Sequence, residues 1–280
     1  MPWLAPYQPF GRQVAEHIRA GHTVARALNA VLPRSSSEPA LSLQPTRFVD
    51  QAELPPGEPY ERFIARTGCV PTRDHAHDLF NGLVWLRFGA IKQQLNALHV
   101  RQIEAAGIGA TRGKLRDALT LFDENAALLQ APLVLVDALR RRDWQALFVE
   151  HRSAWAGATL TLFGHALLEK LMRPRKPITA HVRLVSGLGS VSVQIPGARE
   201  PCLGGGAPPA PRWHTAADDD LLPPGHLTDL LAQPHLPLPV LGVPGWWAAN
   251  EEGNFYEDAA VFRPAQKFRL TPILNRASSP

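Results

Sequence analysis

Between Thr72 and Leu98 the chain carries Leu79, Phe80, Leu83, Val84, Trp85, Leu86 and Phe88, which leave little of a helix's circumference polar through its middle. A helix that is apolar nearly all round is buried, so the rest of the fold must wrap it on every side. Thr72 or Asp74 can cap its start, and Gly82 and Gly89 interrupt its run. The same segment holds polar groups that burial penalises. If it is helical, His77, Asn81 and Trp85 share one face at i, i+4, i+8, and Asp78 neighbours Asn81 at i, i+3. An unpaired carboxylate or imidazole in such surroundings is costly, so these side chains need partners or a ligand.

The flanking segments point to a mainly helical α+β fold with a few short strands. Residues 10–32 read as two short helices hinged near Gly21, and Tyr60, Phe63 and Ile64 as a further short helix. Residues 33–59, with their prolines and the Ser35-Ser36-Ser37 run, read as an extended connection. Ala118–Phe122 reads as a strand, Asp123-Glu124-Asn125 as a turn, and Ala127–Leu129 as the return strand of a hairpin. Leu133–Leu139, Trp144–Trp155 and Leu160–Met172 read as helices, and Ile178–Val185 as a strand. Residues 186–216, with Gly204-Gly205-Gly206, read as a loop insertion. A short helix near Leu227–Leu231 precedes an irregular aromatic segment from Pro237 to Pro264. The whole is expected to be one globular domain over 1–264, with a flexible tail over 265–280.

Composition narrows the function classes. An apolar fraction of 45% against 19% charged residues supplies a sizeable core and argues against disorder. The net charge of +4 is mild and the longest basic run is Arg140-Arg141-Arg142, which argues against a nucleic-acid partner. Two cysteines, Cys69 and Cys202, make neither a disulfide framework nor a cysteine zinc site. The N-terminus has no signal-peptide pattern, and Leu79–Ile91 is shorter than the ~20 apolar residues a bilayer requires. The expected location is cytoplasmic, with no membrane partner.

Five stretches combine polar groups with apolar surroundings. His77, Asp78 and Asn81 form the first. His165 and Glu169, one helical turn apart, form the second, a spacing that can hold a metal ion or orient an imidazole. His181 ends the strand pattern Ile178-Thr179-Ala180-His181. Trp246 and Trp247, on a Pro-Gly turn, can form an aromatic wall with Asn250 beside them, or a clasp that packs on the core. The end of the segment Ala118–Asn125 resembles the strand-loop start of haloacid-dehalogenase phosphatases, but Asn125 stands where that family needs a second aspartate, and the likeness is rejected.

Taken in order, His77-Asp78-Leu79-Phe80-Asn81, Leu121-Phe122-Asp123-Glu124-Asn125, Phe163-Gly164-His165-Ala166-Leu167-Leu168-Glu169-Lys170, Ile178-Thr179-Ala180-His181, Gly242-Val243-Pro244-Gly245-Trp246-Trp247 and Phe262-Arg263-Pro264 resemble the bacterial family grouped as the domain of unknown function numbered 3025. Ala126 departs from it where glycine is expected after the Asp-Glu-Asn turn. The resemblance implies one domain and brings no reaction or ligand.

Three readings follow. The leading one is a divalent-metal-dependent hydrolase, with His77, His165 and His181 as ligands for an ion such as zinc, and Asp78 or Glu169 as ligand or general base. The second is a non-catalytic protein binding a small molecule or peptide through Asn81, Trp246, Trp247 and Asn250. The third is a scaffold in which every one of these groups is a satisfied core group.

Overall fold

A computed structural model describes residues 1–32, 47–106, 113–185 and 226–265. Most of the expected Pro-rich connection, the 186–216 insertion and the tail beyond 265 lie outside the described residues. The fold is a mainly helical α+β arrangement.

Helices α1 (Gln8–Arg19) and α2 (Val24–Val31) turn at Gly21, whose φ of 86° is left-handed and favours glycine. The long apolar segment forms two helices, α4 (Ala76–Arg87) and α5 (Gly89–Ala106), rather than one. The break falls at Phe88, at φ −129° and ψ 45°. Its N–H closes α4 onto Val84 O, while its carbonyl accepts from Lys92 at the start of α5. Neither expected cap is used: His75 precedes α4, and Asp74 instead accepts from Val24 N at 2.7 Å, tying α4 to α2. Gly82 has a packing reason, because a Cβ there would lie 2.2 Å from Leu28 Cδ1. The helix backbone presses on that side chain.

The polypeptide between residues 47 and 59 is not an unpacked connection. Arg47–Asp50 is strand β1, pairing in parallel with β2 (Cys69–Thr72), and Phe48 and Val49 are buried. Helix α3 (Tyr60–Thr67) links the two strands. A further correction concerns Ala118–Phe122, which lies in helix α6 (Lys114–Asn125) and not in a strand. Leu119 and Phe122, three apart, are its buried residues, and Thr120 Oγ1 bonds back to Arg116 O as helical hydroxyls do. The expected hairpin is therefore absent. Strand β3 (Ala126–Gln130) follows α6 directly, and Ala126, at φ −72° and ψ 147°, has ordinary extended backbone that needs no glycine.

After helix α7 (Leu133–Arg141), residues 146–157 run as irregular helical turns. The expected helix over Leu160–Met172 is strand β4 (Thr159–Leu162) followed by the short helix α8 (His165–Lys170). Strand β5 (Thr179–Leu184), helix α9 (Leu227–Ala232) and strand β6 (Leu236–Pro239) complete the order. The second sheet runs β4-β3-β5-β6, with β3 parallel to β5 and both outer pairs antiparallel. Of its two central strands, β3 is apolar in succession, as suits a strand covered on both faces: Ala126 to Leu129 are all buried. One core cluster extends from Trp3 to Phe262. Among the described residues no helix is long and apolar enough to cross a membrane.

The core position of α4 is testable. Leu83 is 6% exposed in that cluster, so Leu83→Ala is expected to cost about 2–5 kcal/mol, measured by chemical denaturation against the parent.

Candidate metal centre

The C-terminus of α6 meets the N-terminus of α8 at Gly164. A Cβ on Gly164 would stand 2.5 Å from both Asn125 N and Glu124 O, so only glycine fits this approach. Phe163 N and Gly164 N both donate to Ala126 O, fixing the end of β4 to the start of β3. This junction sets His165, the first residue of α8, beside Asp123 and Glu124, the last acidic residues of α6. Helix α4 packs across α8 and brings His77 to the same point.

His77 Nε2 lies 3.1 Å from His165 Nε2, and Glu124 Oε1 lies 3.6 Å from His165 Nε2. The ligand atoms of His77, Glu124 and His165 all fall within 4.8 Å of one another. The far side of each ring faces a carboxylate. His77 Nδ1 donates to Glu169 Oε2 at 2.9 Å, and His165 Nδ1 is 3.8 Å from Asp123 Oδ2. Glu169 steers the His77 ring towards the tautomer whose Nε2 lone pair points at His165, whereas His165 Nδ1 is buried with no hydrogen-bond partner among the described residues. The 3.1 Å between the two Nε2 atoms suits either a hydrogen bond donated by His165 or a cation shared by two lone pairs. Burial pushes the His165 imidazole down to about 4, outweighing the opposing pull of Asp123, so that ring is neutral and able to ligate at neutral pH. Burial also raises the Glu124 carboxyl, against the pull of His77.

The three ligand residues line a cavity of about 360 Å³. The break at Phe88 folds α5 back on α4, so Lys92, only 4% exposed, reaches Asn81 Oδ1 at 2.8 Å and Asp123 Oδ1 at 2.6 Å. Burial alone would raise the Asp123 carboxyl, but Lys92 and then His165 outweigh it and hold it below the usual range. Asn81 Nδ2 donates in turn to the Tyr60 hydroxyl at 3.0 Å. Burial raises the Tyr60 phenol above its ordinary value and keeps it protonated. Ile64, Trp85 and Leu95 give the cavity an apolar side. Four carboxylates, Glu61, Asp78, Asp123 and Glu124, line it against two permanent cations, Arg73 and Lys92.

Of the residues singled out from the sequence, His77, Asp78, Asn81 and His165 meet in this cavity. The Glu169 carboxylate faces His77 Nδ1, and His77 Nε2 in turn faces His165. Asp78 accepts from Arg73 N at 2.7 Å, Nε at 3.1 Å and Nη2 at 3.0 Å. Burial works against ionisation there, yet those bonds outweigh it and hold the carboxyl low. Asp78 thus braces the loop before α4 and is a poor proton acceptor. His181 is not part of the cluster: it sits on β5 with its ring centroid 4.4 Å from that of His235.

The tandem tryptophans and Asn250 form the clasp. Trp246 is buried 5.8 Å from Trp3, centroid to centroid. Trp247 packs on the core, and Asn250 Nδ2 donates to Leu241 O and Val243 O while its oxygen accepts from Arg152. None of the three lines the cavity.

Sequence reasoning missed Glu124, Asp123, Lys92 and Tyr60 as site residues. Two signals were available. Reading Ala118–Asn125 as helix places Thr120, Asp123 and Glu124 on one face at i, i+3, i+4, and Lys92 is a lone charge directly after an apolar run.

Residues 46–266 match the family described as Protein of unknown function (DUF3025), so the chain belongs to that family. No curated protein and no solved structure matches it.

Two outcomes test this geometry. In metal-free protein His165 titrates at about 4, against about 6.5 unfolded. The unfolded chain then takes up a proton that the folded one refuses, so stability is full above pH 6.5 and falls as the pH drops towards 4. This one ring contributes about 3 kcal/mol to the fall. His181, also lowered to about 4 by burial and then His235, adds to the slope. His165→Gln should therefore flatten urea-derived stability between pH 7 and 4.5 without abolishing its pH dependence. Gly164→Ala is expected to cost about 1–3 kcal/mol by the same method, whereas Gly253→Ala, where a Cβ meets nothing within 4 Å, should be close to neutral.

Proposed function

We propose that this protein is a divalent-metal-dependent hydrolase of small molecules, its ion held by His77 Nε2, His165 Nε2 and a Glu124 carboxylate oxygen. The observation that carries the reading is the meeting of these three donors on the lining of a cavity, with His77 backed by the Glu169 carboxylate on its other nitrogen. Ligand bonds of about 2.0–2.1 Å at angles of 90–110° put two imidazole nitrogens about 2.9–3.4 Å apart. The 3.1 Å between the two Nε2 atoms falls in that range. Charge supports the same conclusion, because the cavity lining carries two more carboxylates than permanent cations. A divalent ion balances that excess.

Two histidines and a carboxylate suit zinc and related first-row ions, and leave coordination positions open towards the cavity. A bound ion lowers the pKa of its water towards about 7 and so supplies hydroxide at neutral pH. With an acyl or phosphoryl substrate, that water's oxygen would form the new bond as the bond to the leaving group breaks, and its proton would pass to that group. Glu169 orients His77, a role that replaces the ligand or base expected of it, and Glu124 takes the ligand position expected of His181. A cytoplasmic location goes with this reading.

Elemental analysis of protein purified without a histidine tag, followed by calorimetric zinc titration of the stripped protein, tests the assignment. One ion per chain is expected. His77→Ala, His165→Ala and Glu124→Ala should each lose at least 100-fold in affinity, and Glu169→Gln about 10–100-fold. His181→Ala should bind as the parent does. A parent that takes up no ion, or His77→Ala and His165→Ala variants that bind it unchanged, would overturn the reading.

A further inference from the structure

The hydrogen-bond chain beside the metal centre has a direction, and the direction leaves one proton to spare. An ammonium can only donate. Lys92 Nζ, 2.8 Å from Asn81, therefore identifies the amide oxygen as its acceptor. The amide nitrogen must then be the atom 3.0 Å from the Tyr60 hydroxyl, and it donates to the phenolic oxygen. With that oxygen accepting, the Tyr60 proton has to be given elsewhere. Among the described residues it has no acceptor, although Tyr60 lines the same cavity as His77, Glu124 and His165.

Resting on the metal-centre reading, we propose that Tyr60 donates its hydroxyl proton in a hydrogen bond to a carbonyl or phosphoryl oxygen of the substrate, the oxygen on which negative charge develops as water adds. A preorganised donor aimed at developing charge, in a cavity with little water, is worth more than the same donor in solvent. Tyr60 is then a catalytic residue. Lys92 and Asn81 are positioning residues, and Asp123 holds the ammonium that sets the whole chain. The apolar side formed by Ile64, Trp85 and Leu95 suits an organic remainder of the substrate. The volume of about 360 Å³ limits it to a small molecule.

The test uses full-length protein loaded with cobalt(II), and two probes read through the cobalt absorption band: acetohydroxamate for a carbonyl-type oxygen and inorganic phosphate for a phosphoryl-type one. Parent and Tyr60→Phe should take up cobalt equally, because no ligand is touched, and Asn81→Asp, which adds a carboxylate to the lining, should take it up no less. Tyr60→Phe should then weaken the better probe about tenfold, the loss of one hydrogen bond to a charged oxygen. Asn81→Asp should weaken it as much with the hydroxyl still in place. Its carboxylate accepts from Lys92 and Tyr60 alike and turns the phenolic proton out of the cavity. The double variant should be no weaker than either single one.

The stronger of the two probes names the substrate oxygen. Equal cobalt uptake with unchanged probe affinity in Tyr60→Phe overturns the Tyr60 assignment and leaves the metal centre standing. Normal probe binding by Asn81→Asp overturns the proposed direction of the chain, and with it the proposal. A loaded parent that binds neither probe also overturns it. A parent that takes up no cobalt fails at the first step, and both the metal-centre reading and this proposal fall together.

Discussion

Gly164 lies so close to the backbone of Glu124 and Asn125 that no side chain fits between them, and the arrangement of the polar cavity depends on that contact. It abuts the end of α6 against the start of α8. The last two acidic residues of one helix thereby meet the first histidine of the other. The junction is anchored from the sheet, since Ala126, the first residue of β3, accepts from both Phe163 and Gly164. A backbone contact holds relative positions more tightly than a side-chain contact can, because it has no rotamers to change. His77 completes the group from α4, a helix whose apolar circumference fixes it in the core.

Placing this much polarity inside the protein is unfavourable in itself. Lys92, Asp123, Asn81 and His165 are all buried or partly buried near one another, and each would be costly alone. The molecule offsets the cost by pairing. Lys92 neutralises Asp123, Asn81 bridges Lys92 and Tyr60, and Arg73 occupies Asp78. His165 is an exception, because its Nδ1 is buried with no hydrogen-bond partner among the described residues. A buried polar group left without a partner is where a function is to be sought.

The C-terminal segment takes the second of the two roles that its composition allows, the clasp. Trp246, Asn250 and Tyr256 close over the core far from the ligand atoms in sequence. Their hydrogen-bonding groups are used internally: Tyr256 Oη bonds Gly242 O and Asn250 O, and accepts from Arg152. Aromatic residues beside a turn can form a wall or a clasp, and which occurs depends on whether a cavity lies beneath them. Here the core does.

The amino-acid sequence by itself determined what had to be buried. The apolar girth of residues 79–91 demanded a central helix, and His77, Asn81 and His165 were marked as polar groups in apolar company that would need partners. Helical and strand content followed where periodicity was strong, as in α1, α2, α7 and β5. What the sequence left open was decided by tertiary contacts. Ala118–Phe122 and Leu160–Leu162 are short apolar runs that suit either helix or strand, and only their neighbours settle the matter. The first covers β5 as part of a helix, and the second pairs with β3. That choice also settled the ligand set. Glu124 reaches His165 because α6 is a helix ending against α8, whereas His181, of equal promise in the sequence, is carried by its strand register to His235. Convergence of side chains from distant segments is a property of packing, and local pattern does not encode it.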